Sequence, residues 1–173
     1  MKWEELEVYR PLKKEELKPV FKDFTKIFAD NFSQYGFKLI GRKLIKQSND
    51  LFHIIHIDTR GSWSGISDSF KTEISITTIY DLDTFIKNYE LTGTKKIEDL
   101  IPKLRNYYRI TEEYKLLADF LIRKIIEHIL PYFEKYDSSE KILSDRNKFK
   151  IGDTFEFTEK NENLILFCEL INL

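Results

Sequence analysis

Residues 70–80 alternate with a period of two. Phe70, Ile74 and Ile76 occupy even positions, and Lys71, Glu73, Ser75 and Thr77 occupy odd ones. Such alternation belongs to a strand with one face buried and the other in water. A sheet with a solvated face is usually antiparallel, because parallel strands tend to be covered on both sides. The preceding run, Leu51 to Ile57, places apolar groups on both faces through Leu51, Phe52, Ile54, Ile55 and Ile57, which predicts the central strand. Phe37 to Lys46 predicts a third strand. Its link to the central one is Gln47-Ser48-Asn49-Asp50, whose Asn and Asp suit a hairpin. The other connection, residues 60–69, carries two glycines and four serines and reads as a loop outside the ladder.

One face of this meander needs a cover, and the flanking sequence supplies amphipathic helices. Leu17, Val20, Phe21, Phe24, Ile27, Phe28 and Phe32 recur at helical spacing with Lys and Asp between them, and Gly36 suits the left-handed residue that closes a helix. Pro19 falls within the first turns, where a missing amide costs little. The four phenylalanines on one stripe read as core packed on the sheet. Ahead of this helix, Trp3, Leu6 and Tyr9 fit a short helical turn at spacing three.

Beyond the sheet, Leu82, Phe85, Ile86 and Tyr89 suggest a short helix ended by Gly93, and Ile97, Leu100, Ile101 and Leu104 suggest another turn or two around Pro102. Thr111 then reads as an N-cap, with Glu112 and Glu113 in the first turn, where acids suit the helix dipole. Tyr114, Leu117, Leu121, Ile125 and Ile129 continue an apolar stripe, giving a long helix to about Tyr136 that Pro131 should kink or split. Ser138 or Ser139 can cap a short helix through Phe149. The stretch 158–173 fits either a helix (Leu164, Phe167, Cys168, Ile171) or a strand (Leu164, Leu166, Cys168, Leu170), and Glu159 and Glu162 after Thr158 favour the helix.

The expected fold is therefore α+β: an antiparallel sheet of three or four strands covered by an N-terminal helix and a long central helix, with C-terminal helices beside them. The 173 residues suit one domain, 1–173, with a core at about 13–136 and a helical extension over 137–173. A chain of this length buries roughly 70% of its unfolded surface, enough for a core without covalent staples.

Composition narrows the function classes. The 28 Lys and Arg nearly cancel the 29 Asp and Glu, which gives no electrostatic argument for nucleic acid or an anionic membrane. The single Cys168 excludes an intramolecular disulfide and a Cys-rich zinc site, and it agrees with a reducing compartment. The sequence from Met1 to Glu7 lacks the apolar run of a secretory signal, and no uncharged apolar run approaches the 18 residues of a membrane span. A soluble, cytoplasmic protein is the expectation.

Several residues then carry a resemblance. Phe28 to Phe32 leads into Gly36-Phe37-Lys38-Leu39-Ile40-Gly41-Arg42. Leu51 to Thr59 follows, and then the strand Phe70-Lys71-Thr72-Glu73-Ile74-Ser75-Ile76 after the Ser-rich loop. Farther on, Leu130-Pro131-Tyr132-Phe133 is followed by Ser138 and Ser139. This order resembles the bacterial family known as domain of unknown function 4304, over roughly residues 15–145. The resemblance implies an α+β fold and brings no activity or catalytic residues with it. By analogy, small bacterial proteins of this style often act as immunity or partner-binding modules.

One constellation deserves a chemical reading: His56, Asp58, Arg60 and Trp63. Alternation puts His56, Asp58 and Arg60 on one side of the central strand and its exit, with Trp63 in the loop above. Imidazole, carboxylate and guanidinium together suit anion binding or proton movement, and a loop Trp suits stacking on a ring. The plainer alternative, and the favoured one, is an edge-of-sheet ion pair with a Trp covering the core. His53 and His56 are three apart, so a strand sends them to opposite faces and a shared metal would need a bulge between them. His128 reads as a surface or boundary histidine, and Cys168 as a small buried apolar group. Gly61-Ser62-Trp63-Ser64-Gly65 has Trp at its centre, so it is no nucleophile elbow. There is no phosphate loop, dinucleotide fingerprint or calcium loop. Lys38, Arg42, Lys43 and Lys46 form a basic strand that reads as a solvated face.

With no catalytic motif and with 14 Phe and 9 Tyr, the sequence favours a non-catalytic protein-binding module without a cofactor, immunity-like or regulatory. The rival is a small enzyme or ligand-binding protein using His56, Asp58, Arg60 and Trp63. Self-association alone fits the same features as the first reading.

Overall fold

The computed structural model describes residues 2–49, 51–59, 69–78, 95–105 and 107–144. The helix expected over 81–94 and the element expected over 158–173 lie outside these residues, as do Arg60, Trp63 and Cys168.

A short 3-10 turn, Trp3–Glu5, precedes α1, Lys14–Phe32. The Glu16 carboxylate accepts the Lys13 amide at 2.8 Å, tying down the first turn of α1. Because the helix begins at Lys14, Pro19 lies in its second turn, on the exposed side, where the carbonyl it leaves unbonded faces solvent. Leu17, Phe24, Phe28 and Phe32 form the buried stripe. Gly36, at φ 85°, closes the 3-10 turn that ends the helix.

The stretch 37–46 is not one strand. It folds into a hairpin of β1, Lys38–Ile40, and β2, Lys43–Ser48, around Gly41-Arg42. Gly41 takes φ 63°, and a positive φ at the first of two loop positions is what glycine allows in a type II′ turn. The apolar pattern alone runs through this turn without a break, which is why it reads as a continuous strand. β3, Leu51–Asp58, then pairs with β2 from Ser48↔Leu51 to Lys43↔His56. β4, Ser69–Thr78, pairs with β3 from Asp58↔Lys71 to Leu51↔Thr78. On its far side β4 meets two short strands, β5 (Lys95–Lys96) and β6 (Tyr108–Arg109). The sheet is antiparallel throughout, in the order β1-β2-β3-β4-β5 with β6 also on β4, and with the helices it makes an α+β fold. The expected three or four strands become five in line because of the extra hairpin and the short β5.

α2, Ile97–Leu100, stops before Pro102, and α3 runs over Tyr114–Lys124. Thr111 does not cap α3. It sits in a bridge with Pro11, and its carbonyl accepts the Tyr114 amide, so the residue just before the helix is Glu113. The extended bridge claims the backbone that an N-cap would need. Past α3 the helix widens into a π turn, Ile125–Ile129, before α4, Leu130–Lys135. Pro131 has no amide to offer the preceding turn and its ring would strike that turn's carbonyl; the wider turn accommodates both. α5, Ser139–Ser144, follows.

Odd residues of β3 and even residues of β2 and β4 share the face turned to the helices. Leu44, Leu51, Ile55, Ile57, Phe70, Ile74 and Ile76 pack there with Phe24, Phe28 and Phe32 of α1 and with Leu117, Leu121, Ile125 and Ile129. Rings knit the layers together: Phe24 stands 5.0 Å from both Phe28 and Phe70, and Trp3 stacks on Phe120 at 5.0 Å. The opposite face departs from expectation. Lys43, Ile45, Phe52, Ile54, His56, Asp58, Glu73 and Ser75 are all buried there. The polar alternation of β4 therefore does not mark a wet surface.

Candidate functional site

Register explains why that second face tolerates burial. The strand pairing sets His56 between Lys43 on β2 and Glu73 on β4, and Asp58 opposite Lys71. Cross-strand neighbours on one face lie close enough for their side chains to meet. His56 Nδ1 is 3.7 Å from Glu73 Oε2, Lys71 Nζ is 3.7 Å from Asp58 Oδ2, and Lys71 also contacts Glu73 Oε1 closely. The result is a buried chain of alternating character, His56–Glu73–Lys71–Asp58, in which Lys71 bridges two carboxylates.

The charges confirm the direction of these contacts. Burial alone would raise the Glu73 carboxyl, yet His56 and Lys71 together hold it below its ordinary value. Burial likewise works to lower the Lys71 ammonium, and Glu73 and Asp58 outweigh it and hold Lys71 above its ordinary value. Both groups are kept charged by each other. Chemically the cluster stores compensating charge, and its accessible handle is Lys71, whose side chain keeps 21% of its surface.

Of the four residues singled out in the sequence, His56 and Asp58 share one face as alternation requires, whereas Arg60 and Trp63 lie outside the described residues. Sequence reasoning missed Lys71, Glu73 and Lys43 as their neighbours. A signal existed: once Ser48 is set opposite Leu51, counting back puts Lys43 opposite His56.

His53 does face away from His56. Its ring lies parallel to that of Phe133, 6° apart in plane and 4.5 Å between centroids, and its Nε2 donates to the Tyr136 carbonyl at 2.9 Å. Nearby is a cavity of about 160 Å³ whose wall includes His53, Phe37, Phe133, Lys46, Ser48 and Asp137. Local sequence gives no hint of this junction, since it joins β2 and β3 to residues about eighty positions away. His128 is half-buried beside Glu127, at 3.5 Å, consistent with a boundary histidine. Among the described residues no group of three or more His, Cys, Asp or Glu is placed to hold a metal, and no helix is long and apolar enough to cross a membrane.

No protein-family model matches this chain, and no curated protein or solved structure is significantly similar to it.

Proposed function

We propose that the chain is a non-catalytic protein-binding module, immunity-like or regulatory, whose partner adds an extended segment to the β1 edge. The observation that supports this best is the exposure of two adjacent apolar residues on that edge strand, Leu39 at 38% and Ile40 at 46%. Among the described residues β1 is terminal in the sheet, so its outer backbone groups are the ones a further strand would engage. Apolar side chains on such an edge supply the side-chain pockets with something to grip. The resemblance drawn from the sequence points the same way by analogy alone. The buried His56–Glu73–Lys71–Asp58 chain fits a structural rather than a catalytic part, because its charges are spent on one another.

Affinity capture of the full tagged chain from its native cell extract, with mass spectrometry of what remains bound, tests the proposal. A stoichiometric protein that is retained by the wild type and lost with the double variant Leu39→Asp/Ile40→Asp is the expected result. Retention by that variant, or no partner under several growth conditions, overturns it. Running Trp63→Ala alongside separates an interface at the loop from one at the β1 edge.

A further inference from the structure

We propose that the segment taken up by the β1 edge is acidic: an extended stretch of a partner protein in which two adjacent apolar residues are bracketed by Asp or Glu. The inference rests on the reading that a partner strand joins β1, and it names the chemistry that strand carries.

Unpaired positive charge beside the edge is the first observation. On α1, Lys14, Lys18, Lys22 and Lys26 recur at intervals of four, so they form one row along the helix, and all four are exposed. None of them has an ion-pair partner among the described residues. The acids of the helix do little to offset the row. The Glu16 carboxylate accepts the Lys13 amide at 2.8 Å and Asp23 accepts the Tyr114 hydroxyl at 2.6 Å, while Glu15 and Asp30 stand toward the two ends.

Position ties the row to the edge. α1 lies against β1. Arg42, in the β1–β2 turn, holds its guanidinium 5.3 Å from the ring centre of Phe21 in mid-helix, and Phe32 at the helix end is 5.9 Å from Phe37, just before β1. Helix and strand therefore run side by side. Asp23 marks the side of α1 turned to α3, and Lys18 and Lys22 lie roughly 140° and 100° around the helix from it, on the flank away from α3. In β1, Leu39 pairs with Leu44 of the core and so belongs to the helix side, whereas Lys38 and Ile40 belong to the other face.

A strand laid on β1 sets an apolar residue beside Leu39, and its neighbours two positions away share the helix side with Lys18, Lys22 and Arg42. On the other face the strand meets Lys38 and Ile40. Acids at the flanking positions find cations that lack a partner, and the backbone ladder supplies the rest of the attachment. The same charges oppose a second copy, because two β1 edges paired about a two-fold axis would bring two lysine rows together. A nucleic-acid backbone would leave Leu39 and Ile40, 38% and 46% exposed, unused.

The probe is the peptide acetyl-Glu-Glu-Val-Ile-Glu-Glu-amide, whose symmetric order serves either strand direction. It and its counterparts with Gln or Lys in place of Glu are titrated into the full ¹⁵N-labelled chain. The expected result is saturable movement of the Lys38, Leu39 and Ile40 amides, with the Gln peptide at least about tenfold weaker and the difference shrinking as salt is added. Lys18→Glu/Lys22→Glu/Lys26→Glu should keep the wild-type thermal midpoint and prefer the Lys peptide. Equal binding of the Glu and Gln peptides would overturn the acidic selection while leaving strand addition intact; so would an unchanged preference in the triple variant. No saturation by any peptide up to about 1 mM overturns strand addition as well. Tighter binding of phosphatidylserine vesicles or duplex DNA, or a dimer of the free chain dissolved by Leu39→Asp/Ile40→Asp, gives the surface to another occupant and overturns the proposal.

Discussion

The imidazole of His53 lies flat on the ring of Phe133, with centroids 4.5 Å apart and planes within 6°. This stack joins the centre of the sheet to the end of the long helix and keeps the histidine out of water. Burial lowers the His53 pKa below 6.5. The Tyr136 carbonyl pulls it back, Lys46 lowers it further, and Asp137 raises it. The unfolded chain therefore takes up this proton more readily than the folded one. The stabilisation from His53 is fully present above pH 6.5 and is lost as the pH falls through the folded value. Urea unfolding at pH 8 and at pH 5 should show a drop for the wild type that is smaller in His53→Phe, which keeps a stacked ring and cannot titrate.

Lys71 bridges two buried carboxylates, so its removal takes a shared cation away from both. Lys71→Met is expected to cost roughly 2–3 kcal/mol, somewhat below the range for a fully buried pair because part of the lysine reaches solvent. Adding Asp58→Asn and Glu73→Gln to that variant should recover much of the loss, since neutral amides do not need the cation. Denaturant midpoints of the single and triple variants check both statements; a triple variant less stable than the single would contradict the ion-bridge account.

A short polar contact joins α1 to α3. Tyr114 Oη donates to Asp23 Oδ2 at 2.6 Å, which raises the phenol to about 12. Tyr114→Phe should cost about 1 kcal/mol, as expected for a hydrogen bond to a charged acceptor at a partly exposed site. In an alkaline absorbance titration the wild type should show one more late-ionising tyrosine than the variant.

The β1–β2 turn depends on Gly41. A methyl group there would meet nothing within 4 Å, so the whole penalty of Gly41→Ala is backbone strain at φ 63°. A loss of about 1 kcal/mol is expected, read from the thermal midpoint. An unchanged midpoint would mean that the turn rearranges without cost.

The sequence by itself determined the parts of this protein governed by local periodicity. The 3.6-residue stripe of Phe24, Phe28 and Phe32 and the all-apolar run at Leu51–Ile57 are both helix-and-strand signals that need no knowledge of the partner, and both appear where expected. Gly36 closing its helix and the disturbance at Pro131 follow from steric rules for single residues. The hairpin inside 37–46 was within reach as well, because Gly41 is a turn residue, but the apolar pattern on either side masked it.

Tertiary structure decided what those elements bury. Polarity in β4 reads as solvent exposure when a strand is considered alone, since a charged group without a partner belongs in water. Once β3 places His56 and Asp58 opposite Glu73 and Lys71, the same charges compensate one another and the face can be covered. Thr111 likewise looks like a helix cap until Pro11, a hundred residues earlier, engages it in a bridge. The cavity at His53 is a third case, because its walls come from the β2–β3 hairpin and from α4, and no local pattern encodes their meeting. Periodicity reports which side of an element is apolar; only the long-range pairing says whether the polar side finds water or a partner.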